Sequence, residues 1–177
     1  MRWFALIFVI LIGPFAGCRK ESPPPPVTST PTQPSQPTLP TKAQPRLKTI
    51  RLWLGPEELA TELALTPEQE QTGMMFRTNM AENAGMLFVL PQPMQASFWM
   101  KNCTVPLSAA YIDVEGNILE IHDLQPEDTN AVVATAHNVL YVLEVNQGWF
   151  KRHHIEPGTL VRTEAGSMPE SFTRQRR

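Results

Sequence analysis

Residues 19–46 hold nine of the eighteen prolines of this 177-residue chain, interleaved with Ser, Thr and Gln as PPPPVTSTPTQPSQPTLPTKAQP. Such a stretch has too little apolar surface to offset the entropy of folding. It reads as a semi-rigid, polyproline-like spacer of about 3.1 Å per residue, roughly 85 Å at full reach. The chain is thereby divided into an apolar leader over 1–18, a disordered linker over 19–46, a domain over 47–165 and a polar tail over 166–177. Any core must lie after the linker, and 42% apolar residues overall are enough to build one.

The leader starts Met1-Arg2 and continues as thirteen mostly apolar residues, 3–15, interrupted only by Gly13 and Pro14. A spanning helix needs about 20 apolar residues, so this run reads as the core of an export signal. Phe15-Ala16-Gly17-Cys18 resembles the bacterial lipobox, with Phe15 where Leu, Val or Ile is usual. The resemblance implies cleavage before Cys18 and attachment of acyl chains to it, and two or more chains anchor stably. The expected location is a cell envelope, with the protein lipid-anchored to a membrane. Arg19 points to the periplasmic face of the outer membrane in a Gram-negative cell.

Charge separates along the chain. Residues 47–165 carry seven basic and fifteen acidic residues, a net −8, while the flanks are basic. An acidic domain repels phosphate backbones, so nucleic acid is not an expected partner. Two cysteines exclude a disulfide scaffold and a Cys-rich zinc site.

Within the domain, short β-rich runs alternate with turn signals. Strands are expected over 47–54, 85–90, 96–101, 109–113, 117–122, 140–145 and 159–163, with 59–65 readable as strand or helix. Glu115-Gly116 marks a hairpin. Thr66-Pro67-Glu68-Gln69 is a capping box with proline at the first helical position, predicting a helix over 67–76. A second short helix is expected over 147–154, and the tail from Gly166 is expected to fray. The pattern predicts an α+β fold: a curled, mostly antiparallel, barrel-like β-sheet with two short helices.

Four stretches then stand out: Gly73-Met74-Met75-Phe76-Arg77, Gly85-Met86-Leu87-Phe88, Phe98-Trp99-Met100-Lys101-Asn102 with Val105-Pro106-Leu107, and Val142-Leu143-Glu144-Val145 with Gly148. In order and spacing they resemble the family called domain of unknown function 192, over roughly residues 50–163. The resemblance implies a compact α+β domain and no particular activity. The family's segment after Pro-Leu usually begins with Asp; here Ser108 stands there.

Arg77, Lys101 and Asn102 are polar residues set in apolar runs. Converging at one mouth of the sheet, they would hold a carboxylate or phosphate, with Trp99 stacking on a sugar or ring. Against this, Arg77 can pair with Asp113 or Glu144 or cap a helix end, and Lys101 can snorkel. Six methionines fall between Met74 and Met100. Clustered thioethers bind Cu(I), with Cys103 and His122 as added ligands, but without a tight repeat core filling is the expected role. No metal or cofactor is therefore expected. The leading expectation is a non-catalytic module binding a small polar or anionic ligand, such as an envelope glycan fragment, through Arg77, Trp99, Lys101 and Asn102. The alternatives are an envelope hydrolase using Asp113, Asp123 or Cys103, and a structural or assembly partner of another envelope protein.

Overall fold

The computed structural model describes residues 39–172; the apolar leader, Cys18 and most of the proline-rich linker lie outside them. The described residues contain ten strands and three short helices: β1 (Thr49–Leu54), β2 (Glu57–Ala64), α1 (Pro67–Thr72), β3 (Ala84–Met94), β4 (Ser97–Phe98), β5 (Leu107–Asp113), β6 (Ile118–Leu124), β7 (Val132–Val133), β8 (Val139–Asn146), α2 (Trp149–Arg152), β9 (Val161–Thr163), β10 (Gly166–Ser167) and α3 (Met168–Phe172). Eight strands form one sheet in the order β10-β9-β1-β2-β3-β8-β5-β6, and β4 pairs with β7 beside it. Every neighbouring pair is antiparallel except β2 and β3. Parallel pairing demands a crossover, and the segment carrying α1 supplies it.

The fold is α+β with a curled, mostly antiparallel sheet, and the curl does not close into a barrel. Its two distant ends meet beside the β5–β6 turn. Asn117 and Leu160 form an isolated bridge, flanked by Val161 N–H to Gly116 O at 2.8 Å and Ile118 N–H to Thr159 O at 3.0 Å.

Alternation along the central strands separates two cores. On β3, β5 and β8, Leu87, Ala110, Ile112, Tyr141, Leu143 and Val145 face one cluster, anchored by Trp149 and Phe150. Met86, Phe88, Ala109, Tyr111 and Val142 face the other, which also takes Met74, Met75, Met100 and Cys103. Both faces of these strands are buried, so their sequences read as continuous apolar runs.

Helix α1 starts as the capping box requires: Thr66 Oγ1 accepts from Gln69 N–H, and Gln69 Oε1 accepts from Thr66 N–H. It stops at Thr72 rather than 76, because Gly73 turns to φ +46°. That turn drives Met74 and Met75 into the core. Pro91 and Pro93 fall inside β3 rather than between two strands. The β3–β8 ladder breaks between Val89 and Met94, where proline has no N–H to give. Residues 166–172 do not fray. Met168 and Phe172, four apart on α3, are both buried, and Phe172 packs on Tyr141 at 5.5 Å. Among the described residues no helix is long and apolar enough to cross a membrane.

Candidate functional site

Arg77 follows the turn after α1 and meets Glu62 of β2. Its Nη1 donates to Glu62 Oε1 at 2.6 Å and its Nη2 to Oε2 at 2.8 Å, a bidentate fork. Leu47 N–H donates to Oε2 at 2.7 Å, and Arg46 Nη1 reaches Oε1 at 3.5 Å. Burial pushes the Glu62 carboxyl up. The Arg77 bonds, the Leu47 N–H and the two arginine charges outweigh that, holding it below its ordinary value. Arg77 Nε is buried without a hydrogen-bond partner. This group walls a cleft of about 660 Å³ that Thr49, Asn79 and Asn83 also line. Two guanidinium groups share one carboxylate here, leaving one surplus positive charge in an acidic domain.

A smaller pocket of about 40 Å³ lies on the Met-rich face. Glu144 of β8 lines it with Met74, Met75, Cys103, Phe98 and Trp99. Glu144 is 4% exposed, and among the described residues its carboxyl has no hydrogen bond or ion pair. Burial pushes it up to about 8. Cys103 is pushed up to about 12 by burial, then by the charges of Glu144 and Glu127, which makes it a poor nucleophile at neutral pH. Met74 lines both cavities.

The residues singled out in the sequence divide between these places. Arg77 borders the cleft, and its partner is Glu62, not Asp113 or Glu144. Trp99 borders the pocket, half-exposed, with Lys101 Nζ 5.4 Å from its ring centroid. Asn102, at φ +58°, accepts the Phe76 N–H on its carbonyl at 2.8 Å, so its segment abuts Arg77. The four do not line one common cavity. Asp113 is occupied in the β5–β6 turn, accepting from Glu115 N–H and Asn117 N–H. His122 Nε2 lies 2.8 Å from Glu120 Oε2. Among the described residues no three His, Cys, Asp or Glu side chains are grouped as a metal would require. Glu144 gave no site signal in the sequence, where it reads as one polar residue in a strand. The signal available was an acid flanked by apolar residues on both sides in a strand buried on both faces.

A family model described as "Uncharacterized ACR", the domain of unknown function 192, matches residues 52–163. The chain belongs to this family. It is 30% identical to a protein of unknown function from Novosphingobium aromaticivorans, over 66% of this chain and 86% of that one, with a TM-score of 0.63. It is 31% identical to a Sinorhizobium meliloti protein described as a "putative transcription regulator", over 68% of this chain and 98% of that one, also at 0.63. No curated protein matches it. Ser108, which stands where the sequence resemblance implies Asp, is held from two sides. The Ser108 hydroxyl donates to the Asp123 carboxylate across the β5–β6 pair and accepts from Gly148 N–H at 2.8 Å. A carboxylate at 108 would face that of Asp123.

Proposed function

We propose that this chain is a non-catalytic, lipid-anchored envelope module that binds a small anionic ligand, such as a carboxylate-bearing glycan fragment, in the cleft beside Arg77. The observation that carries the reading is the charge imbalance there: Arg46 and Arg77 both face Glu62, so one positive charge stays uncompensated on the wall of a cleft of about 660 Å³. That volume lies within the usual range for small-ligand sites, roughly 300–1,000 Å³. Arg46 is the residue left to engage the ligand, because its side chain is 84% exposed while Arg77 is committed to its fork. The net −8 of the surrounding domain favours a small anion that reaches this local positive site over a polyanion that meets the whole surface. For that reason the regulator description of the Sinorhizobium relative is not carried over. The anchor rests on the leader and Cys18, and the linker holds the domain off the membrane. The non-catalytic form is supported by the engagement of Asp113 and Asp123 and by the raised Cys103 thiol.

The test is an amide-resolved NMR titration with N-acetylmuramic acid, which carries a carboxylate, and N-acetylglucosamine, which does not. The acidic sugar is expected to shift the amides of Arg46, Asn79 and Asn83. Arg46→Gln is expected to weaken it about tenfold, the loss of one charged hydrogen bond. Equal responses to both sugars, or shifts confined elsewhere, overturn the assignment.

A further inference from the structure

We propose that the pocket beside Trp99 binds one soft monovalent cation, Cu(I) or Ag(I), through the sulfur atoms of Met74, Met75 and Cys103 and the carboxyl group of Glu144. Three lines converge on this chemistry. The pocket holds about 40 Å³, room for a single ion or one water and not for an organic ligand. Three of its lining side chains end in or contain sulfur, the donor that soft ions select over harder ones. Another is an acid, Glu144, that is buried yet has no hydrogen bond or ion pair among the described residues, so its oxygens are free to meet an ion.

The local fold produces the grouping. Gly73 turns the chain after α1, which places Met74 and Met75 on consecutive buried positions. Cys103 follows the Met100 turn, where its N–H bonds Met100 O at 2.9 Å. Glu144 comes from the middle of the sheet, paired with Met86 on one side and Ala109 on the other. Three separate segments thus meet around one small space. The rings of Phe88, Phe98 and Trp99 line it too, as do Glu70, Gln71, Thr72 and Gly73. Aromatic faces attract cations and exclude water. The Trp99 face already attracts the Lys101 ammonium, which shows that the ring is placed to meet positive charge. A borderline ion such as Zn(II) finds no ligand set here, because no three His, Cys, Asp or Glu side chains are grouped among the described residues. Binding forms a sulfur–metal bond at Cys103 and an oxygen–metal bond at Glu144, and the thiol and carboxyl protons pass to solvent. The ion is not oxidised or reduced.

The experiment uses the full chain carrying Cys18→Ser, so that Cys103 is its single thiol. Ag(I) is titrated in and counted by native mass spectrometry, and Cu(I) affinity is set against a chromophoric Cu(I) chelator. One ion per chain is expected, with no Zn(II) retained. The paired substitution Met74→Leu with Met75→Leu conserves volume, so the fold is kept. It is expected to weaken binding at least about tenfold, as Glu144→Gln is, the loss usual when groups supporting a metal are removed. Far-UV circular dichroism confirms the fold of each variant. The proposal is overturned if no ion is retained. It is equally overturned if Cys103→Ser abolishes binding while the paired methionine variant binds like the parent, since a bare thiol then explains everything. Cys103 and Glu144 do not line the anion cleft, so their variants separate the two sites; Met74 lines both, so the sugar titration is repeated on the paired methionine variant.

Discussion

Replacing Glu144 by Gln should stabilise the protein at alkaline pH and not at acid pH. In the folded state burial raises this carboxyl from 4.5 to about 8, while in the unfolded chain it titrates near its ordinary value. Below the unfolded value both states carry a proton and the group costs nothing by ionisation. As pH rises past 4.5 the unfolded state releases its proton and the folded state does not, so the unfolded state gains. The loss is complete once the pH passes about 8. At 1.36 kcal/mol per pH unit, the folded state gives up about 5 kcal/mol over that window. Between pH 5 and 8.5 the difference in unfolding free energy, Gln variant minus parent, should therefore grow by about 4 kcal/mol. That is a large share of the 5–15 kcal/mol typical of a domain. The amide carries its own burial penalty, but a pH-independent one, so it cancels from the change. Every other titratable group is common to both proteins and cancels too. Urea unfolding followed by tryptophan fluorescence at the two pH values measures it. A difference that moves by less than about 1 kcal/mol would refute the reasoning, since the carboxyl would then be solvated or paired.

Three further outcomes follow from the same structure. Arg77→Met leaves the Glu62 carboxylate only the Leu47 N–H and the exposed Arg46 and should cost about 3 kcal/mol in urea unfolding, whereas Arg77→Met with Glu62→Leu should recover most of it. Because Glu62 is held below its ordinary value, the stability it contributes is present above pH 4.5 and fades as pH falls through its depressed value, so the Arg77 cost should shrink in acid. Iodoacetamide should leave Cys103 unmodified in the native protein at pH 7 and modify it quickly in urea, read by intact mass, because the native thiol is raised to about 12. Gly116→Ala should lower stability by at least about 2 kcal/mol by calorimetry; at φ +96° its new Cβ would meet Met168 Cγ at 2.8 Å and Val161 O at 2.9 Å.

Much of the fold was legible in the sequence because its signals were local. The Thr66 capping box placed the start of α1, and the β-rich runs placed β1, β5, β6 and β8 within a few residues. The end of α1 was missed because apolar periodicity continued through Met74 and Met75, and only the conformation of Gly73 turns them out of the helix. Helix α3 was missed because two apolar residues, Met168 and Phe172, are weak signal in a polar segment; both earn their place by packing against residues far back in the chain. The candidate site was less legible. Arg77 was visible as a cation in an apolar run, but it lies in the crossover between the parallel β2 and β3, and no local pattern announces that this segment folds back onto Glu62 of β2. Glu144 was hidden by strand alternation. It is one polar residue in a largely apolar strand, and only the packing of both faces shows that the acid is buried.

The seam between Gly116 and Val161 has a consequence for how the protein comes to be made. Synthesis runs from the first residue to the last, and the segment that fastens the curl, Leu160 through α3, emerges after every strand it fastens. Until then the β5–β6 turn has no Val161 N–H to bind and no Met168 above Gly116. Until then the sheet also lacks the Asn117–Leu160 bridge that joins its ends. The contacts made by Leu160 through α3 form only once those residues have emerged. Protection of the half-made chain therefore falls to whatever accompanies it along the way.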